Sequence, residues 1–576
     1  MRIASSILTL CLICLLCACV SDKIICDGRV VIHSKDQISF SKNEQPLLCG
    51  DQDLVGWKNV PLAQTEMTIK EFLKSRGFYE STYTLDENQL HIETGPSYKI
   101  EKIVFIDAPE DFDRVKFVGW KKQPFTGPSL NDIEAWTLRR LKSIGYGCAQ
   151  VRTIAIIETK TVEVHIQAGK KYPFPEITYD DDPDQTLRRP ILERYYAFKP
   201  GQLFNEDLLT LSSHRTEWDG VVSHSNFIKH CENEELTITQ NINLGTSRIL
   251  TVGAGVSTEE LGIGKVNWKD SRKGRNASII FADLYGSKLR QFLQLGYEWH
   301  AFDESNRWYL LPTIEGERID ESDQEYYTFV FYPSIGSKLD YAKRRLEFKT
   351  GPAASFENVQ NGPSSGKKEF VTWRSSFTFT SHDYEVFMTE PRRGYHFTLE
   401  TSSVILTSVD KIGANWVNLS GTRLWNLFNF GPPKFVFGAR FGLESVISFQ
   451  NQNIRDNIPQ TYFTWLGGDT NLRGFGRQEL PVDEIGTFSS IYSGFELRFV
   501  SLLMKNLDPF VFTDVGLVGS SNFTFNTPVY WSPGFGLRYQ SFIGVIRGTV
   551  AHGYSTGASD PSHEHFQYFL SLGREF

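Results

Sequence analysis

"KFVFGARFGLE", residues 434–444, alternates without a break. Phe435, Phe437, Ala439, Phe441 and Leu443 share one face, and Gly438, Arg440, Gly442 and Glu444 share the other. A period of two is that of a β-strand with one apolar side. "LRQFLQLGYEWHA" (289–301) repeats it, with Leu289, Gln291, Leu293, Leu295, Tyr297 and Trp299 opposite Arg290, Gln294, Gly296, Glu298 and His300. So does "FQYFLSLGREF" (566–576), which aligns Phe566, Tyr568, Leu570, Leu572 and Phe576. A soluble sandwich turns such a face inward and a membrane barrel turns it outward, so context has to choose.

The context favours a barrel. From about Ser247 onward the chain shows strand patterns and no helical signature. The 43 Phe, 23 Tyr and 46 Gly against 4 Met suit strands and turns better than a helical core. Residues 246–576 hold ~16 strands of about ten residues with their loops. The opening "MRIASSILTLCLICLLCACV" has Arg2 and an apolar core from Ile7 to Leu16, which reads as a secretory signal over residues 1–19. "LLCAC" (15–19) also resembles a lipobox with Cys19 acylated, and that alternative stays open. A net charge of −8 gives no case for a nucleic-acid partner.

Ahead of the strands the chain repeats itself. "EFLKSRGFYES" (71–81) and "LRRLKSIGYGCAQ" (138–150) each end a helix with a glycine and an aromatic, Gly77 matching Gly145. Each then runs into a strand and a second glycine, Gly95 matching Gly169. These are units of ~70 residues with helices on one face of a small sheet. A third copy starts near Tyr172, where "TEWDGV" (216–221) stands in place of the glycine-aromatic signature and makes this copy the most degenerate. The boundaries expected are 23–97, 98–169 and 170–245, then 246–576. Outside the signal, Cys26, Cys49, Cys148 and Cys231 remain in an oxidising compartment. Cys26 and Cys49 are placed for a local bridge, whereas Cys148 and Cys231 are equally compatible with packed thiols.

The competing chemistry is weak. "GAGVSTEELGIG" (253–264) and "RGFGR" (473–477) look like phosphate loops, but neither leads into a helix and neither carries the Lys-Ser/Thr of a P-loop. His552, His563 and His565 fall in a polar turn between the last two strands, so exposed loop histidines are expected rather than a metal site. No nucleophile elbow is present. The expectation is no enzyme, no cofactor and no metal.

Repeated ~70-residue units before a barrel, with "GGDTNLRGFG" (467–476) and "FTDVG" (512–516), resemble the outer-membrane protein assembly factor superfamily, whose members carry polypeptide-transport-associated (POTRA) domains ahead of a 16-stranded barrel. Three such domains, "SRILTVGAGVSTEELGIGKVNWK" (247–269) and "PGFGLRYQSFIGVIRGTVA" (533–551) are most similar to its translocation and assembly module branch, TamA. The resemblance implies that the loop with Arg473, Gly474 and Phe475 folds back into the lumen, turning at Gly467 and Gly468, and that Arg473 pairs with Asp514 and Glu496. The alternation of Phe495, Leu497 and Phe499 independently puts Glu496 inward.

It further implies a short seam between first and last strands that opens sideways into the bilayer. Phe566, Tyr568, Leu570, Gly573 and Phe576 form the terminal strand, with Gly573 bending it and Thr251 lying near Ser571 across the seam. An exposed edge then templates an incoming strand. The implied partners are unfolded outer-membrane protein substrates, the lipid bilayer and a TamB-like inner-membrane tether engaging the first POTRA domain. The alternatives are a two-partner-secretion exporter, which usually has two POTRA domains and a plug helix, and a passive porin, which leaves the repeats unexplained.

Overall fold

The computed structural model describes residues 21–572 except 36–37, 39, 41–43, 51–59, 87, 113–119, 121, 180–186, 301–306, 322–323, 363–364, 382–391, 408–412, 430–432, 449–457, 481–485, 502–503, 526–527, 542–543 and 557–565. The signal segment with Cys19, His563 and His565, and Gly573 and Phe576 lie outside the described residues. No described helix is long and apolar enough to cross a membrane.

The chain divides into two compact bodies. In the first, strands β1 (Ser21–Ile25), β2 (Val30–Ser34), β3 (Thr82–Leu85) and β4 (Leu90–Glu93) form a sheet in the order β1-β2-β4-β3, with β2 parallel to β4. Two helices, α1 (Gln45–Cys49) and α2 (Leu62–Lys74), complete this module. Helix α2 buries Thr65, Ile69 and Leu73, one helical stripe, and the core joins Ile69 and Leu73 to Val30, Ile32, Leu90 and Ile92. The second module has β5 (Lys102–Ile106), α3 (Gly127–Ser143), β6 (Gln150–Ile156) and β7 (Thr161–Gln167), ordered β5-β7-β6 with β5 parallel to β7. Thr126 caps α3 by accepting from the Ser129 N–H at 3.1 Å. Ile133, Thr137 and Leu141 of α3 point inward, and its core includes Val162 and Val164 of β7. Most of a third module belongs to the second body: it has β8 (Ile177–Tyr179), α4 (Arg189–Glu193), α5 (Glu206–Trp218), β9 (His224–Glu232) and β10 (Glu235–Asn243), again with its first and last strands parallel.

The "TEWDGV" segment corrects the reading of the third copy as degenerate. Phe78 N–H donates to Leu73 O, Tyr146 N–H to Leu141 O and Val221 N–H to Thr216 O, each across five residues and each at 3.0–3.1 Å. All three enclose a left-handed glycine: Gly77 (φ 88°), Gly145 (φ 112°) and Gly220 (φ 71°). The aromatic was the dispensable half of the signature, because the buried Val221 fills its place. The glycine carbonyl does a further job. That of Gly77 accepts from Tyr98 N–H, that of Gly145 from Tyr172 N–H and that of Gly220 from the Ser271 hydroxyl. Each carbonyl bonds to the next unit of the chain, and for Gly220 that unit is the barrel wall.

The second body contains a closed antiparallel barrel of 16 strands. They are β11 (Arg248–Ser257), β12 (Leu261–Lys273), β13 (Ser278–Ser287), β14 (Arg290–Glu298), β15 (Trp308–Glu321), β16 (Gln324–Tyr341), β17 (Arg344–Asn361) and β18 (Gly366–Ser381). The circuit continues with β19 (Gly394–Thr407), β20 (Ala414–Asn426), β21 (Phe435–Ser448), β22 (Ser489–Phe499), β23 (Leu507–Gly519), β24 (Tyr530–Ser541), β25 (Gly544–His552) and the last strand, Phe566–Leu572. A two-residue ribbon, β26 (Tyr554–Ser555), adds to β24, so the last strand is β27. Leu293, Leu295, Phe329, Phe331, Phe535, Tyr568 and Leu570 are exposed on the outer wall, while Arg440, Glu496, Asp514 and Arg538 are buried inside. His552 ends β25 instead of lying in the turn, with its ring 4.4 Å from Tyr554 and 4.5 Å from Phe566. Among the described residues no group of His, Cys, Asp and Glu is placed to hold a metal ion.

Two disulfides fasten the first body. Cys26 joins Cys49 with Cα atoms 4.8 Å apart, and Cys148 joins Cys231 at 5.8 Å, tying the second module to β9 of the third. Their sequence separations of 23 and 83 make the second the greater constraint on an unfolded chain. Replacing Cys148 and Cys231 together by alanine should cost about 2–5 kcal/mol of local stability. Protease titration of the full chain checks this, with cleavage expected first around residues 145–147; an unchanged titration contradicts it.

Candidate functional site

Between β21 and β22, the described residues 458–480 run inside the barrel. Arg473 is 1% exposed. Its Nε and Nη2 donate to Asp514 Oδ2 and Oδ1, both at 2.8 Å, and its Nη1 donates to Glu496 Oε2 at 2.8 Å. Its backbone N–H adds a bond to Asp514 Oδ2 at 3.3 Å. The guanidinium also lies 3.4 Å from the centroid of the Phe512 ring. This fork-on-carboxylate geometry is the strongest that arginine makes, and little water competes with it here.

The clamp is larger than a triad. Asp514 accepts also from Arg440 Nη2 at 3.3 Å, while Glu496 accepts from Arg498 Nε at 2.7 Å and meets Arg538 Nη2 at 3.2 Å. Arg440, Arg498 and Arg538 were not singled out from the sequence, although inward phase in "FGARF", "FELRF" and "FGLRY" marks all three. Alternation assigns a face and says nothing of who meets whom across the lumen. Gly494 leaves room for the network, because a Cβ there would lie 2.6 Å from Asp514 Oδ1.

Around the clamp the loop carries its own apolar seat. Phe475 packs with Leu466, Leu472, Leu480, Val518 and Tyr530, edge-on to Tyr530 at 5.5 Å. Gly467 (φ 116°) and Gly468 (φ 102°) turn the chain, and a Cβ on either would strike Gly476 O at 2.1 Å or Glu259 Oε1 at 2.6 Å. Gly474 meets the Gly553 backbone, where a Cβ would lie 2.7 Å from its nitrogen. Further tethers spread over the wall. Gln460 N–H donates to Glu357 at 2.8 Å, Tyr462 OH to Ser402 Oγ at 2.7 Å, and Asp469 pairs with Arg547. Beside the loop, a cavity of about 390 Å³ is lined by Glu315, Glu357, Arg374 and Glu400.

A second buried network sits where α5 meets the barrel. Asp219 is held by Arg307 Nη2 at 3.0 Å, Arg345 Nη1 at 2.9 Å and Lys338 Nζ at 3.8 Å, and its carbonyl accepts from Lys269 at 3.1 Å. Burial alone would raise the Asp219 carboxyl, but Arg307, Lys338, Arg345 and Lys269 outweigh it and hold it well below the usual carboxylate range. The Arg345 guanidinium covers the Trp218 ring at 4.3 Å. Asp219 stands next to the joint glycine, so an ionic plug fixes the third joint.

Strand β11 pairs with β12 at ten positions from Arg248↔Asp270 to Ser257↔Leu261, and among the described residues it pairs with β27 at Ser257↔Ser571. One more backbone bond runs from Thr258 N–H to Leu570 O at 3.0 Å. Ser571 therefore lies opposite Ser257 and not near Thr251, a correction of six residues. The register across a closing seam depends on the stagger of the whole barrel, which no local pattern reports. Below that point Ile249, Leu250 and Val252 of β11 are exposed. Phe566, Tyr568 and Leu570 of β27 face outward.

Among solved structures, the chain is similar to BamA from Haemophilus ducreyi lacking POTRA domains 1–3, at 15% identity and a TM-score of 0.54, over 83% of this chain and 99% of that one. The fold is similar to that of BamA. CdiB from Acinetobacter baumannii is also similar, at 11% identity and a TM-score of 0.49, over 89% and 96% of the two chains. Comparisons with protein-family models and with curated proteins found no match.

The network sets the expected cost of breaking the clamp. In Arg473→Ala, Asp514 keeps Arg440 and Glu496 keeps Arg498 and Arg538, so neither carboxylate is orphaned. The loss should be on the order of 1–3 kcal/mol, below the 3–5 kcal/mol of a stranded buried charge. Raised protease access at Asp469–Gln478 and reduced heat resistance of the folded band on gels measure it. Asp514→Ala removes the acceptor that Arg473 and Arg440 share, leaving Glu496 as the carboxylate of the network, and should be the more damaging single change; equal, wild-type-like behaviour of both variants would remove the clamp.

Proposed function

We propose that this chain is an outer-membrane insertase or translocase that assembles β-barrel or autotransporter-type proteins. The observation that carries the reading is the seam, where among the described residues a ten-residue strand meets the other edge of the barrel at one register pair. On this reading the seam opens, and the freed β11 edge offers N–H and C=O groups to an incoming strand, which gains main-chain hydrogen bonds in a setting where water does not compete. No nucleotide and no enzymatic step is required. The outer face supplies the bilayer contact, and unfolded outer-membrane proteins are the substrates.

On this reading the three modules are POTRA domains lying in the periplasm. The first engages an inner-membrane-anchored, TamB-like tether, as in the translocation and assembly module. The lumenal loop, clamped and packed, speaks against a passive porin, which needs an open bore.

Ser257→Cys with Ser571→Cys, opposite each other across the seam, should form a disulfide that locks it. Insertion of a reporter barrel protein should fall to background when the lock is oxidised and return on reduction. Full insertion with the lock closed would sink the insertase reading.

A further inference from the structure

Beyond the backbone pairing of the seam, the first hairpin is anchored at its tip by side chains. Its turn carries Glu259 and Glu260. Arg477, four residues past the clamp arginine, donates from Nη1 to Glu260 at 3.0 Å and from Nη2 to Glu321, at the end of β15, at 2.8 Å. Its Nε adds a bond to Glu321 at 3.2 Å. Glu260 is itself held by the Tyr285 hydroxyl, and Glu259 accepts from the Asp469 N–H at 3.2 Å. On the opposite side of the seam, Asp469 pairs with Arg547, whose Nε reaches Ser571 Oγ at 3.4 Å. One loop thus touches the first hairpin through Arg477 and Asp469, and the last strands through Arg547.

We infer that Arg477 is a positioning residue that helps hold the seam closed from inside, strapping the β11–β12 hairpin to the lumenal loop. The strap spans the lumen: Arg473 fixes it to β22 and β23, and Arg477 fixes it to the hairpin and to β15. The two arginines differ in setting. Arg473 is sealed, whereas Arg477 is partly exposed and within reach of water, so its contacts are the ones that exchange. On the insertase reading proposed above, release of Arg477 is the step that frees the β11 edge while the clamp stays shut.

The test uses the full-length protein in its native membrane, with Ser257→Cys and Ser571→Cys reporting seam closure as disulfide yield under mild oxidation. Arg477→Ala should lower that yield on the order of tenfold, the ratio expected for losing a charge-assisted pair of hydrogen bonds. Arg477→Lys should lower it less, and Glu260→Gln, which removes only the hairpin arm, should act in the same direction. Heat-shifted gel mobility shows that each barrel is folded. A yield unchanged in both Arg477→Ala and Glu260→Gln overturns the strap. Reporter insertion is measured in parallel without the cysteines. A fall in yield with insertion unaffected keeps the strap and counts against the insertase reading, whereas lost insertion at unchanged yield overturns the strap and leaves that reading standing.

Discussion

A sheet that closes on itself has to join the backbones of its two terminal strands, and among the described residues that join is one register pair. Sixteen strands pair in sequence through fifteen junctions, and the circuit is then closed at Ser257↔Ser571. Other features of the barrel bear on this seam. The lumen is crossed by a loop with ionic contacts on both sides of the seam. Inward glycines, Gly494 and Gly516 among them, keep the wall bare where that loop presses against it, since a Cβ on Gly516 would lie 2.6 Å from Leu472.

The amino-terminal modules obey a different rule. Each ends its helix on a left-handed glycine whose carbonyl bonds to the next unit. At Gly77 and Gly145 a Cβ would press to about 3 Å on neighbouring atoms, so the joint is a close approach as well as a turn. At Gly220 the space is looser and charge takes over: Asp219 is gripped by Arg307 and Arg345. Packing holds the early joints, and ion pairs hold the last.

The alternation of residues 434–444 was legible because burial on one face repeats a two-residue period wherever the strand lies. The inward phase of Glu496 came from the same local rule. Partnership was not legible that way. Asp514 came from a resemblance, and Arg440, Arg498 and Arg538 were passed over because their contacts lie across strands far apart in sequence. The seam register was misjudged at Thr251 for the same reason, being a property of sixteen strands together. The third module was misread because the aromatic in its signature was given the weight that belongs to the glycine.

The socket for Arg473 has a consequence for the order of events during folding. Arg440 precedes the loop in the chain, but Glu496, Asp514 and Arg538 all come after it, on β22, β23 and β24. A guanidinium carried into an apolar interior before those carboxylates are in place is strongly disfavoured. The loop therefore cannot seat early; it waits in water until the last quarter of the wall is laid down. Its burial marks a barrel whose strands are already complete, and a chain stalled before β23 keeps Arg473 outside, open to proteases.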